Sequence, residues 1–425
     1  MHNTHARNTV RYYVLILLVL SFLFFSGDFG LLDVQKTALI LAVGIDKEED
    51  EFIVTSQIAL PQDSKQGKST QTVQLVSRGK TIADAFEEIN AKTGWYPKLV
   101  FCDLILLGES AAKQNAFDSL DYFIRDEYFS DNCQMATCDG SAKDVLNVSA
   151  LVDPSSSTAI GKILSAHAER LGSVRPTTLH DFAIGYYGDA QCSFAPIVAT
   201  QPQQEPTQNS EKDSQNNANG GQSEQSGQDS QNGQSQLGGQ SSQGEQNAQG
   251  GSSQNEKPVF SARETALFLR GKRVATLTAE ETFAFNVVKT SLKLAPFTVE
   301  KENAACTLTI KQNDPKLSLR VSKDGRANLS IKVTLTAGIL DYSQSLPLDK
   351  IADVGDVPDG IFYAAEKKLS ADVHSVFEKA RANGCDLFGI QDLLLKHKPR
   401  SLQKYQNTIL QNTNADVKIH FRNLR

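Results

Sequence analysis

The chain lacks an excess of positive charge, a dense set of cysteines, and the short motifs that announce a nucleotide or metal enzyme. Lysine and arginine number 43 against 49 aspartates and glutamates, a formal net charge of −6. With no basic field to meet a phosphate backbone, nucleic acid is excluded as the expected partner. Six cysteines in 425 residues make no disulfide framework, and a chain this long builds cores without staples. Phosphate loop, H-E-x-x-H and dinucleotide fingerprint are all missing. Cys133 and Cys138 stand five apart and could pair or bind metal. No second ligand pair follows at zinc spacing, so two small residues on a strand or turn is the simpler expectation. His167 and His180 have no carboxylate–histidine cluster at ligand spacing and are expected on a helix face or surface. Neither a cofactor nor a metal is expected, and no small-molecule site is identified.

What is present is ordinary globular composition, 40% hydrophobic and 22% charged, broken by two unusual stretches. The first is Tyr12 to Phe25 (YYVLILLVLSFLFF), free of charge, with Arg7 and Arg11 before it and Asp28 and Asp33 after it. A basic flank stays in the cytoplasm, which puts the remaining chain outside. The run is short for a spanning helix, and it also falls in the range of a signal-peptide core. No A-x-A-like site follows it. The expectation is an uncleaved anchor that borrows Ser26, Gly27 and the flanking aromatics. The second stretch runs from 201 to 257 and is nearly all Gln, Ser, Gly and Asn. It cannot bury enough apolar surface to offset its ordering entropy, so it reads as a disordered linker or insertion loop.

Between these stretches the pattern alternates strands and helices. Strands are expected at Ala38–Val43 and Phe52–Leu60, joined by an acidic turn at 46–51, and at Thr70–Ser77. Thr81 and Gly94 bracket a helix. Leu99–Leu107 (LVFCDLILL) reads as one central strand, followed by a helix from Ser110 to Asp126, a strand at Gln134–Cys138 and a short helix from Ala142. Residues 153–182 read as helix and loop, and Ala195–Val198 as a strand. After the linker, TALFL and RVATL flank Arg270-Gly271-Lys272 as a hairpin, and a helix covers 279–290. Strands follow at 307–310, 316–321 and 327–336. Helices are expected at 361–382, 390–397 and 401–412, and a strand closes the chain at 416–421. The fold class is α+β, with an anchor (1–33), an N-terminal domain (34–150), a middle domain or extension (151–200), the linker (201–257) and a C-terminal domain (258–425).

Catalytic signals are thin. Gly108-Glu109-Ser110-Ala111-Ala112 follows an apolar run and precedes a helix, as a nucleophile elbow does, but its last residue is Ala. Ser110 as a helix N-cap explains it better. Paired acids such as Asp118 and Asp121, or Asp126 and Glu127, read as exposed helical carboxylates. The expectation is a protein that binds and assembles; a tethered extracytoplasmic hydrolase and a generic envelope adaptor are the alternatives.

Several short runs, in order, resemble the Ger(x)C family, the C-type subunits of spore germinant receptors. They are Leu41-Ala42-Val43-Gly44-Ile45-Asp46, Ile53 through Pro61 with Gln57 inside it, Arg78-Gly79-Lys80-Thr81-Ile82, and Leu104 through Glu109. They continue with Leu120 through Asp126, Phe194-Ala195-Pro196, Thr265 through Val274, and Asn383 through Gly389. Two features depart from the family: no cysteine for lipidation follows the apolar run, and the tryptophan common near the C-terminus is missing around Leu402–Tyr405. The resemblance implies three α+β domains on the outer face of the inner spore membrane. It also implies assembly with membrane-embedded A- and B-type subunits, and no catalytic residues. Gly44, Asp46, Gln57, Pro61, Arg125 and Asp126 are expected to shape turns and helix ends. Asp46, Gln57, Arg125 and Asp126 are the candidates for partner contact.

Overall fold

The computed structural model describes residues 12–21, 37–60, 72–148, 153, 155–201, 259–301, 304–343, 357–397, 405–406 and 408–424. Pro61, residues 22–25 of the apolar run, the linker from 202 to 257, and 401–404 of the expected helix lie outside the described residues. Residues 12–21 form helix α1, with nearly every side chain exposed. Among the described residues no helix is long and apolar enough to cross a membrane.

Strands β1 (Thr37–Glu48) and β2 (Glu51–Ala59) form a hairpin that is longer than expected. Its turn is only Glu49-Asp50, with Glu48 opposite Glu51 and Glu49 at φ 50°. Asp46 is therefore a strand residue and not part of a turn. Strand β3 (Thr72–Gly79) pairs with β2. Helix α2 (Ile82–Thr93) is framed as expected: the Asp84 N–H donates to the Thr81 hydroxyl, and Gly94 turns left-handed at φ 72°.

The run 99–107 departs from expectation. A short strand, β4 (Tyr96–Lys98), pairs with Thr37–Leu39 of β1, and β5 (Leu104–Leu107) pairs with Ala42–Ile45 further along the same strand. Between them residues 99–103 leave the sheet. Helix α3 (Glu109–Arg125) is broken at Asn115 (φ −150°, ψ 101°), where the Ala116 N–H donates to the Gly271 carbonyl at 2.7 Å. A remote hairpin thus takes a backbone bond that a continuous helix would have kept. Strand β6 (Gln134–Cys138), helices α4 (Ala142–Asn147), α5 (Ser156–Ile163) and α6 (Ala166–Arg170), strand β7 (Thr177–Thr178), helix α7 (Leu179–Tyr187) and strand β8 (Cys192–Gln201) follow.

Past the linker, β9 (Val259–Leu269) pairs antiparallel with β8 along its length, and β10 (Lys272–Leu277) returns on β9 through Arg270-Gly271. Residues from both sides of the linker therefore share one ten-stranded sheet, in the order β10-β9-β8-β6-β5-β1-β2-β3, with β4 on β1 and β7 on β6. The middle strands β8, β6, β5 and β1 are parallel and the flanking hairpins antiparallel. Helices cover both faces, which explains the unbroken apolar reading of β5. Ile105 and Leu107 pack with α2, α3 and α7, while Leu104 and Leu106 pack with α4 and α5.

A second sheet, of four strands, contains β11 (Ala295–Lys301), β12 (Ala304–Val321), β13 (Ala327–Tyr342) and β14 (Thr413–Asn423), the last pair parallel. The two strands expected at 307–310 and 316–321 are one. Pro315 stays in register opposite Val333 and does not end it. Helices α8 (Ala279–Lys289), α9 (Asp359–Ala382) and α10 (Ile390–His397) pack with this sheet in one core that includes Phe285, Ile331, Leu369, Val376 and Phe421. Each such side chain contributes about 1.5–3 kcal/mol on burial. Residues 408–412 are turns, where a helix was expected. The result is a mixed α+β fold.

Candidate functional site

At the end of β1, Asp46 is 6% exposed and its carboxylate accepts three hydrogen bonds. The donors are the Ser141 hydroxyl at 2.8 Å, the Ala142 N–H at 2.9 Å and the Lys143 N–H at 3.1 Å. These are the first groups of α4, whose own Ser141 side chain supplies no cap. An aspartate 95 residues earlier in the chain does the work of a local N-cap, and its charge suits the helix N-terminus. Two glycines make room. A Cβ on Gly108 would stand 1.8 Å from Asp46 Oδ1, and one on Gly44 would stand 2.9 Å from Leu146 Cδ1.

Gln57 plays the same part for α5. Its Nε2 donates to the Ser156 hydroxyl at 3.0 Å, and the Ser157 N–H donates to its Oε1 at 3.2 Å. Ser156 passes the connection on, donating to the Leu146 carbonyl at 2.7 Å, at the end of α4. Asp46 and Gln57 are thus joined through two short helices on one face of the sheet. Arg125 and Asp126 lie elsewhere, at the far end of α3. The Arg125 guanidinium pairs with Asp121 one helical turn back, at 2.7 Å and in solvent. Asp126 closes a turn by accepting from the Tyr128 N–H at 2.9 Å.

A cavity of about 470 Å³ opens beside Asp46, lined by Lys47, Arg78, Ser110, Lys143 and Asp144. It lies where β1, β5 and β6 end, between α3 and α4, which leave for opposite faces of the sheet. The rim carries both charge signs, which suits a small polar molecule better than an apolar one. Ser110 takes no cap role here. Gly108 is the N-cap of α3, and the Ser110 hydroxyl accepts the Lys47 N–H at 2.9 Å.

Two cysteine contacts join residues far apart in the sequence. The Cys133 thiol meets Cys102, and this contact, with burial, pushes its pKa up. Cys192 meets Cys385 across the linker, with the same effect from the same causes. Cys138 packs alone against the Leu107 and Gly140 carbonyls, and burial raises its thiol. All six cysteines are free thiols. Among the described residues no group of three metal-ligating side chains gathers.

Sequence reasoning missed Asp386 as a functional element of the turn that includes it. Its carboxylate accepts the Ile390 and Gln391 N–H groups, each at 2.8 Å, and so holds the start of α10. Burial pushes its pKa above the usual carboxylate value despite these bonds. The available signal was an aspartate just before an apolar helical stretch, a residue type that accepts from the free N–H groups of a helix start.

Two family models match this chain. Residues 32–200 match the spore germination protein N-terminal domain, and residues 263–423 match the spore germination B3/GerAC-like C-terminal domain. Spore germination protein A3 of Bacillus subtilis is 26% identical over 170 residues, 38% of this chain and 44% of that protein. Spore germination protein B3 of the same organism is 30% identical over 126 residues, 28% of this chain and 33% of that protein. The aligned region thus spans less than half the length of these curated relatives. The crystal structure of the GerBC protein is similar over 90% of this chain and 97% of its own, with a TM-score of 0.50 and 16% identity, a likeness of fold. The two models fall on either side of the linker and between them take in nearly every described strand and helix, so the chain belongs to the Ger(x)C family of spore germination proteins, the C-type germinant receptor subunits.

Proposed function

We propose that this protein is the extracytoplasmic, membrane-tethered C-type subunit of a nutrient germinant receptor. It assembles with integral-membrane A- and B-type subunits and helps trigger germination, without catalysis. The observation that carries the reading is the match of both halves, in order, to the two germination domains. The apolar run at 12–25 supplies the tether and positive residues before it set the outward orientation. The chain then has five parts: tether, N-terminal unit, middle extension, linker and C-terminal unit. The way the polar candidates are used supports a binding role. Asp46 and Gln57 spend their hydrogen-bonding capacity on helix ends, and Ser110 accepts from a strand N–H. Arg125 and Asp126, at the exposed end of α3, remain the candidates for partner contact.

The test is deletion of the gene, with nutrient-triggered germination scored and the full-length chain restored in trans. Loss of germination to at least one nutrient, rescued by the full chain, is expected. Normal germination to every nutrient that the parent spores answer would overturn the reading.

A further inference from the structure

Most apolar side chains in the ten-stranded sheet are covered, and a run of neighbouring exposed ones lies beside the start of β1. Tyr96 is 44% exposed, Val100 51% and Phe101 55%. The backbone explains why. Strands β4 and β5 both run along β1, at Thr37–Leu39 and Ala42–Ile45, and residues 99–103 bulge out between them. The bulge is a built feature. The Cys102 N–H donates to the Leu99 carbonyl at 2.8 Å, the Asp103 N–H to Leu41 at 3.0 Å, and the Gln134 N–H to Asp103 at 2.9 Å. Leu99 and Cys102 point inward, leaving Val100 and Phe101 outside. Beside them β4 pairs only with β1 among the described residues, and it carries exposed Lys98 next to Tyr96 and half-buried Trp95.

This stretch sits where the chain enters the fold. Tyr96 is the register partner of Thr37, the first residue of β1. Only residues 26–36 separate Thr37 from the end of the apolar run. Eleven residues reach at most about 40 Å even fully extended, so a run seated in a bilayer holds Thr37 and Tyr96 within that distance of its surface. Tryptophan, tyrosine and lysine beside an exposed Val-Phe pair are the side chains that settle at the headgroup level. Tethering also makes the contact intramolecular, so a weak patch suffices.

We propose that Val100 and Phe101, with Trp95, Tyr96 and Lys98, form a second membrane contact that dips into the interfacial layer of the bilayer. The proposal rests on the tether reading above. It turns one attachment into two, fixing which end of the parallel strands faces the lipid.

Trp95 is the single tryptophan of the chain, so its emission reports the patch without a label. The full-length protein is reconstituted in phosphatidylcholine–phosphatidylglycerol vesicles, isolated by flotation, and compared between plain lipid and lipid brominated near the headgroup end of the acyl chains. The expected result is flotation with loss of Trp95 emission in brominated vesicles. Phe101→Asp and Val100→Asp should each restore the emission while the protein still floats and keeps its circular dichroism. Flotation with equal emission in both lipids overturns this proposal and leaves the tether standing. Quenching that neither substitution relieves also overturns it. Failure to float removes the tether and this contact together.

Discussion

At the C-terminal end of β1 a buried carboxylate takes three hydrogen bonds from one helix. At the N-terminal end of the same strand, Val100 and Phe101 lie bare. The first end uses polar groups to hold the fold together, and none of the Asp46 oxygens is left idle. The second leaves apolar area in solvent that the core does not claim. The difference separates residues that specify the structure from residues available to something else. It also divides the four candidate side chains: Asp46 and Gln57 belong to the first class, Arg125 and Asp126 to neither core nor cavity.

The largest effect is expected at Asp46. Asp46→Ala leaves the α4 N-terminus without its acceptor, including a buried Ala142 N–H. It should cost about 3 kcal/mol in denaturant unfolding of the full-length chain. Gly108→Ala, which drives a Cβ onto Asp46 Oδ1, should cost as much. A midpoint unchanged in both variants would show that the carboxylate does not hold α4.

Gln57→Leu tests the adjoining link. It leaves the Ser157 N–H without its side-chain acceptor and should cost about 1–2 kcal/mol. If hydrogen exchange in 156–163 stays as slow as in the parent chain, Gln57 is not what pins α5.

Asp386 gives a pH-dependent contrast with Asp46. Burial raises its folded pKa above the ordinary value of 3.8, so the folded state favours the protonated form. The stability this contributes is fully present below 3.8 and is lost as pH rises through the folded pKa. Asp386→Asn cannot titrate. The stability of the parent chain relative to this variant should therefore fall between pH below 3.8 and neutrality. A difference constant with pH would mean an unshifted carboxylate.

The smallest structural effect belongs to Arg125→Ala and Asp126→Ala. The Arg125–Asp121 pair is exposed, and such pairs are worth under about 1 kcal/mol. Unfolding midpoints should stay near that of the parent chain. Spores carrying either variant should germinate more slowly if this end of α3 meets a receptor subunit. Parent-like germination in both strains would remove it as a contact surface.

Local signals were legible in the sequence and remote ones were not. Helix α2 was readable because Thr81, Asp84 and Gly94 act within the helix itself. The α8 start, with its Thr278–Glu281 capping box, is readable for the same reason. Asp46 looked like a turn residue because its neighbours are acidic. Its burial depends on donors at 141–143, which no window around residue 46 contains. LVFCDLILL passed for one strand because composition does not show which apolar residues a bulge expels. The break in α3 required Gly271, more than 150 positions away in the sequence. The residues between the strands expected at 307–310 and 316–321 stay in the ladder, Pro315 opposite Val333, because β13 pairs with them. The cavity beside Asp46 was invisible for the same reason: it is assembled from four separate stretches of chain.

The most direct test of the central claim is fractionation of dormant spores that express the full-length chain, combined with deletion of its gene. The account predicts the chain in the inner-membrane fraction, its outward part cleaved by protease in right-side-out vesicles, and loss of nutrient-triggered germination when the gene is absent. A chain recovered soluble from the spore core, with germination intact in the deletion strain, would contradict it.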